Sequence, residues 1–175
     1  MRFEITGLPP DGPTLELDHR EFAYAGKFVM SSTGKSVARD GAEVVGAVAF
    51  SGDRSDPDAV RLRYVTVRED RRGEGIGPRL LRFTAEELAA TCDRVVIAVN
   101  NPMAYQACYR AGFGFTGEET GMAELLLCYR PDDGDGARYA AGLREFRDRE
   151  LPDAHRAVLD RRLGSDPPPV VEAPD

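Results

Sequence analysis

Arg72, Gly73, Gly75 and Gly77 fall within the run Val65-Thr66-Val67-Arg68-Glu69-Asp70-Arg71-Arg72-Gly73-Glu74-Gly75-Ile76-Gly77-Pro78, and their spacing points to anion binding. Val65 to Val67 is β-branched and reads as the end of a strand. The glycines read as a tight turn, and Ile76 opens an apolar helical period. Such a turn aims several backbone N–H groups into one concavity, and the dipole of the following helix favours an anion there. Glycine lets the backbone approach a phosphate with no Cβ in the way. Pro78 suits the first helical turn, where its missing N–H costs nothing. The chemistry predicted is a diphosphate cradle of definite geometry.

Three phosphate-binding patterns compete for such glycines. A dinucleotide fingerprint begun at Gly73 and Gly75 needs a third glycine where Pro78 stands. A Walker-type loop at Gly34-Lys35-Ser36 has Val29 in place of its leading glycine, and no helical pattern follows. The pattern R-x-x-G-x-G is satisfied by Arg72, Gly75 and Gly77. After a V-x-V strand, it resembles the coenzyme A pyrophosphate loop of the GNAT superfamily of acetyl-CoA-dependent acyltransferases. A second block strengthens the resemblance. Val95-Val96-Ile97-Ala98-Val99-Asn100 reads as a buried strand, and Asn101-Pro102 as an N-cap with proline at the first helical position. Asn101, Ala104, Gly112 and Phe113 then match the family's N-x-x-A-(x)7-G-F. The resemblance spans roughly residues 43 to 130.

The resemblance implies an α+β (mixed α/β) fold, with a central, mostly antiparallel twisted sheet, a splayed parallel strand pair and flanking helices. It implies direct transfer of an acetyl group from acetyl-CoA to a primary amine of a small molecule or peptide, without a metal. By the resemblance, the pyrophosphate would sit on the amides of Arg72, Gly73, Glu74, Gly75, Ile76 and Gly77, with the Arg72 side chain adding charge. The pantetheine would run along Val65 and Val67 as a pseudo-strand, with Asn101 contacting it. A non-catalytic acyl-CoA-binding or regulatory module is the alternative. The family commonly places a tyrosine four residues before the Gly-Phe glycine, to protonate the departing thiolate. Here that position is Cys108, and Tyr109 follows about 100° further round the helix. Tyr109 as general acid, Cys108 in its place, and Tyr109 as a packing residue all remain open at this point. The general base is open as well. Arg61, Arg63 and Tyr64 occupy the strand region where relatives carry a glutamate. Glu69, Asp70, Glu118, Glu119, Glu124 and His19 are candidates, as is a water relay.

The elements that must position these groups follow from periodicity. Val44 to Phe50 and Leu62 to Val67 read as consecutive strands joined by the polar turn 51–57. Ile76, Leu80, Phe83 and Leu88 form one apolar stripe of a helix. Phe113 to Thr116 and Met122 to Tyr129 read as a hairpin through Thr120-Gly121. Residues 1 to about 30 alternate apolar and polar positions (Phe3, Ile5, Leu15, Leu17, Phe22, Tyr24, Phe28), which predicts one or two strands. The predicted acyl-CoA-binding domain covers residues 1–131. A linker at Asp132 to Gly136 follows, then charged helices at 138–149 and 152–163, anchored by Tyr139, Leu143, Phe146, Val158, Leu159 and Leu163. These read as a flank packed on the domain; the alternatives are an acceptor-site cover or a homodimer contact. Residues 164–175, with Pro167-Pro168-Pro169, predict a disordered tail.

A net charge of −7 argues against nucleic acid as a partner, which needs a clustered basic surface. Neither a charged-then-apolar leader nor an apolar run near 18 residues is present, so no membrane association and a cytoplasmic location are expected. Cys92, Cys108 and Cys128 are too scattered to suggest a disulfide framework or a metal cluster.

Overall fold

The computed structural model describes residues 1–132 and 135–174 and divides the chain into two compact units. The first comprises Met1–Val95 with the C-terminal end from Glu172; the second is Val96–Val171. The expected α+β class, mostly antiparallel with flanking helices, is the one observed.

In the first unit β1 (Arg2–Gly7), β2 (Gly34–Asp40), β3 (Glu43–Gly52) and β4 (Ala59–Val67) lie side by side in chain order, each pair antiparallel. Helix α1 (Ile76–Ala89) covers this sheet. Its buried face is Ile76, Leu80, Leu81, Thr84, Ala85 and Leu88, the 3.6-residue period expected of an amphipathic helix. Phe83 stands at the margin of that face, with its ring 5.9 Å from Phe3. Burying each large aliphatic side chain of this stripe contributes about 1.5–3 kcal/mol. Gly46 on β3 makes the close approach feasible, because a Cβ there would lie 3.3 Å from both Ile76 and Leu80.

Two features of this unit depart from the sequence reading. β2 is a central strand although its sequence, Gly-Lys-Ser-Val-Ala-Arg-Asp, has neither alternation nor an apolar run. Pairing with β1 on one side and β3 on the other overrides its weak intrinsic preference. Conversely, the alternating residues after Gly7 form no strand. They run as irregular chain with one 3₁₀ turn at Ala25–Lys27, and Leu15 and Leu17 pack against Phe28, Val37, Ala47 and Ala49. Alternation there records one-sided packing on the sheet.

The second unit includes most of β5 (Arg94–Val99), which pairs antiparallel with β7 (Leu125–Tyr129), and β7 pairs in turn with β6 (Phe113–Glu119). Between them α2 (Pro102–Arg110) starts at the predicted N-cap: Asn101 Oδ1 accepts the Ala104 N–H at 2.9 Å. Helices α3 (Gly136–Arg144) and α4 (Asp153–Arg162) both contact α2. Asp133 and Gly134 of the expected linker, and Asp175, lie outside the described residues. Asp135 is the α3 N-cap, accepting from Ala137 and Arg138. Of the six predicted anchors, Tyr139, Leu143, Phe146 and Leu159 are buried, while Val158 and Leu163 are half-buried.

Residues 164–174 carry no helix or strand, yet they are not loose. Pro168 is buried, a Cβ on Gly136 would meet Pro167 at 3.4 Å, and the Val171 N–H donates to the Arg110 carbonyl at 2.7 Å. Proline removes helical options without preventing apolar contact, so this stretch docks as irregular chain.

Candidate functional site

β4 and the turn after it build the predicted cradle. The Arg68 N–H donates to Val45 of β3 at 2.9 Å. By the two-residue alternation of a strand, Thr66 also faces β3, while the N–H and C=O groups of Val65 and Val67 project from the opposite edge of β4. The Arg72 Nε–H, 3.4 Å from the Val67 carbonyl, lies on that edge. The chain then makes a 3₁₀ turn at Glu69–Arg71 and passes through Gly73 and Gly75, at φ +87° and +77°. Both are left-handed conformations that side chains resist. Gly75 is the N-cap of α1 and offers no side-chain acceptor to the first turn.

Five consecutive backbone N–H groups, from Gly73 to Gly77, find no acceptor among the described residues; the next amide, of Arg79, returns to the Gly75 carbonyl at 3.3 Å. A row of unpaired amides at the positive end of a 14-residue helix is a site for an anion. Ion pairs brace it. Arg71 binds Glu74 at 2.9 Å and Asp40 at 3.0 Å, while Arg68 binds Asp70 at 2.7 Å and Glu43 at 3.0 Å. Arg72 alone of the three is exposed and has no carboxylate partner among the described residues. An anion at this turn would meet its unpaired charge. Glu74 cannot repel one strongly, because Arg71 holds its carboxylate.

The remaining candidates sit as follows. Asn101 is engaged at both ends of its amide, capping α2 and donating to Asn100 Oδ1 at 3.1 Å. Tyr109 is 8% exposed, with its ring 4.4 Å from that of Tyr139, so α3 supplies its contact. Burial pushes its phenol up, with the Asp135 charge adding to the effect. Cys108 is buried, and its thiol is pushed up to about 12 by burial. Both groups are protonated at neutral pH. Tyr105, one turn earlier, donates to the Tyr139 carbonyl at 2.9 Å, a partner the sequence reading did not assign.

Among the base candidates, Asp70 is held low chiefly by its hydrogen bond from Arg68, against a smaller desolvation cost. Glu119 pairs with Arg149 at 3.2 Å, Glu124 accepts from Thr120, and His19 is almost fully exposed. Asp18 and Asp53, each hydrogen-bonded as a carboxylate, are likewise lowered. No group of three or more His, Cys, Asp or Glu among the described residues is arranged to hold a metal ion. No described helix is long and apolar enough to cross a membrane.

The sequence profile described as the acetyltransferase (GNAT) family matches residues 5–115, more than half of the chain. The chain belongs to the GNAT acetyltransferase family. The profile covers both the cradle and α2. Acyl transfer is therefore the class of reaction to which this acyltransferase belongs. No curated protein sequence matches it. Among solved structures, a Bacillus subtilis acetyltransferase in complex with CoA is 16% identical, with a TM-score of 0.56 over 74% of this chain and 97% of that one. At that identity the likeness concerns the fold. A Streptococcus mutans protein is 22% identical over 57% of this chain and 71% of that one, with a TM-score of 0.48. A Salmonella typhimurium protein solved with acetyl-CoA is 18% identical over 58% of this chain and 66% of its own, with a TM-score of 0.47.

Proposed function

We propose that this acetyltransferase binds acetyl-CoA with its pyrophosphate on the amides of Gly73, Glu74, Gly75, Ile76 and Gly77, and transfers the acetyl group to a primary amine of a small molecule or peptide. The row of five unpaired amides beside an unpaired Arg72 carries the reading. Each amide would give a charge-assisted hydrogen bond at the positive end of α1, and Arg72 would add a guanidinium. The pantetheine extends from there along the edge of β4, where the backbone groups of Val65 and Val67 project, so that the thioester is held by strand-like pairing. The Bacillus subtilis structure contains CoA, which supports this cosubstrate for a chain of the same fold.

The reaction follows from holding amine and thioester together. The amine nitrogen attacks the acetyl carbonyl carbon, a C–N bond forms, the C–S bond breaks, the nitrogen loses a proton and the thiolate gains one. A strand N–H of β4 on the cofactor edge stabilises the oxyanion. Asp70 and Glu119 are engaged by arginines and Glu124 by Thr120, so we assign proton removal to water. Tyr109, with its ring committed to Tyr139, is assigned to packing, and Asn101 to capping α2. Calorimetry should show acetyl-CoA and CoA binding, with Arg72→Ala weaker by about 1–3 kcal/mol as a charged contact is lost. Tight NAD or ATP binding with none for CoA would overturn the assignment. A panel of amines with thiol release as the readout tests turnover, which a non-catalytic CoA-binding module would lack.

A further inference from the structure

Resting on that reading, we propose that the acceptor carries a carboxylate besides its amine, and that Arg63, assisted by Arg54, binds it. A cavity of about 500 Å³ opens in the first unit, lined by Ser32, Thr33, Ser51, Arg54, Arg63 and Tyr64 among others, and none of its lining residues is acidic. In a chain of net charge −7, this is a concentration of positive charge. Arg63 projects from β4 into a half-buried position. Its Nε–H donates to Ser51 Oγ at 2.9 Å and its Nη2 to the Gly52 carbonyl at 3.0 Å, both neutral acceptors. No carboxylate lies within ion-pair distance of it among the described residues. The nearby Asp53 is committed to Arg61, at 2.6 Å. Burial destabilises the Arg63 charge, and the like charges of Arg61 and Arg54 add to that, with Asp53 offsetting part of it. A guanidinium held by two neutral groups and crowded by like charges gains more from an anion than a solvated one does.

The surroundings point the same way. The chain has only two lysines, and although neither lines the cavity, both touch residues that do. Lys27 Nζ stands 5.7 Å from the Tyr64 ring. Lys35 is fully buried and donates to the carbonyls of Met30 and Thr33 and to Thr33 Oγ1, at 2.6 to 2.8 Å, fixing the wall that Met30, Ser32 and Thr33 form. The cavity is also correctly placed along the strand. It reaches Tyr64, immediately before Val65 and roughly 10 Å along β4 from Val67. A carboxylate anchored at Arg63 would bind the acceptor on the same strand along which the thioester would lie.

The test compares matched acceptors at saturating acetyl-CoA: an amino acid or short peptide, its carboxamide, and the corresponding aminoalkyl phosphonate. We expect kcat/KM for the carboxylate to exceed that for the carboxamide at least tenfold. Arg63→Gln should remove the preference through KM, and Arg54→Gln, on an exposed side chain, should reduce it a few-fold. Calorimetric acetyl-CoA affinity should be unchanged in both variants, which separates a failure here from a failure of the cofactor assignment. If no member turns over, binding of the same three compounds to the CoA-loaded protein decides. Equal affinity for acid and amide, or no binding of either, overturns the proposal. Preference for the phosphonate overturns the carboxylate assignment, and a preference that survives Arg63→Gln overturns the role of that residue.

Discussion

Gly77→Ala and Gly75→Ala should separate folding from cofactor binding within one turn. Gly77 is the second residue of α1 and does not have a positive φ, and a Cβ there would meet only Val67 Cγ2, at an ordinary 3.6 Å. Alanine at a helical position of this kind gains about 0.5–1 kcal/mol over glycine. Gly75 is also sterically open, but at φ +77° it lies in the left-handed region. Alanine there costs about 1–2 kcal/mol, partly offset by about 0.4–1 kcal/mol from the restricted unfolded chain. Gly75→Ala should therefore destabilise by roughly 0.5–1 kcal/mol while Gly77→Ala stabilises. Binding should not follow stability. The Cβ of a helical residue tilts toward the N-terminus, here into the row of free amides. A methyl at 77 would hold a pyrophosphate off one or two amides, a loss of about 1.5–3 kcal/mol, or roughly 10–100-fold in acetyl-CoA affinity. Urea unfolding with an unchanged m-value measures the first effect, and calorimetry the second. Gly77→Ala with unaltered acetyl-CoA affinity would refute the placement of the phosphates, whatever its effect on stability.

Tyr109→Phe removes a hydroxyl but keeps the ring that meets Tyr139, so turnover should stay within a few-fold; a fall of about 10²–10⁴-fold with unchanged acetyl-CoA affinity would make Tyr109 the general acid. Truncation after Leu163 removes the buried Pro168 and the Val171 hydrogen bond, and should lower stability by about 1–2 kcal/mol in urea titrations; an unchanged midpoint would show that this stretch contributes nothing. Cys108 has a folded-state pKa raised from the ordinary 9.0 to about 12, so its contribution to stability is intact below pH 9 and is lost as pH rises from there toward 12. At pH 10.5 the loss relative to pH 8 is about 2 kcal/mol. Cys108→Ala should lack that part of the alkaline decline; parallel pH–stability curves for the two proteins would contradict it.

Features that rest on neighbours a few residues apart were legible in the sequence. The glycines at 73 and 75 turn left-handed, Asn101 caps α2, Ile76 to Leu88 faces the sheet at helical spacing, and the apolar runs at 44–50 and 95–99 are strands. Each is set by backbone sterics or by a period short enough to read along the chain. Other features were decided only by tertiary structure. β2 is a strand because β1 and β3 flank it, and Lys35 is buried in it because three oxygens from Met30 and Thr33 converge on its ammonium. Tyr109 was ambiguous because its partner, Tyr139, lies thirty residues downstream on another helix. The proline-rich end reads as disorder by composition, yet its docking depends on Arg110 and Gly136, which composition cannot place beside it. The arginine cavity draws its walls from the chain ahead of β2, the end of β3 with the turn after it, and β4. Chain distance hides such groupings, because the burial and hydrogen bonding that unite them arise only once the strands have paired.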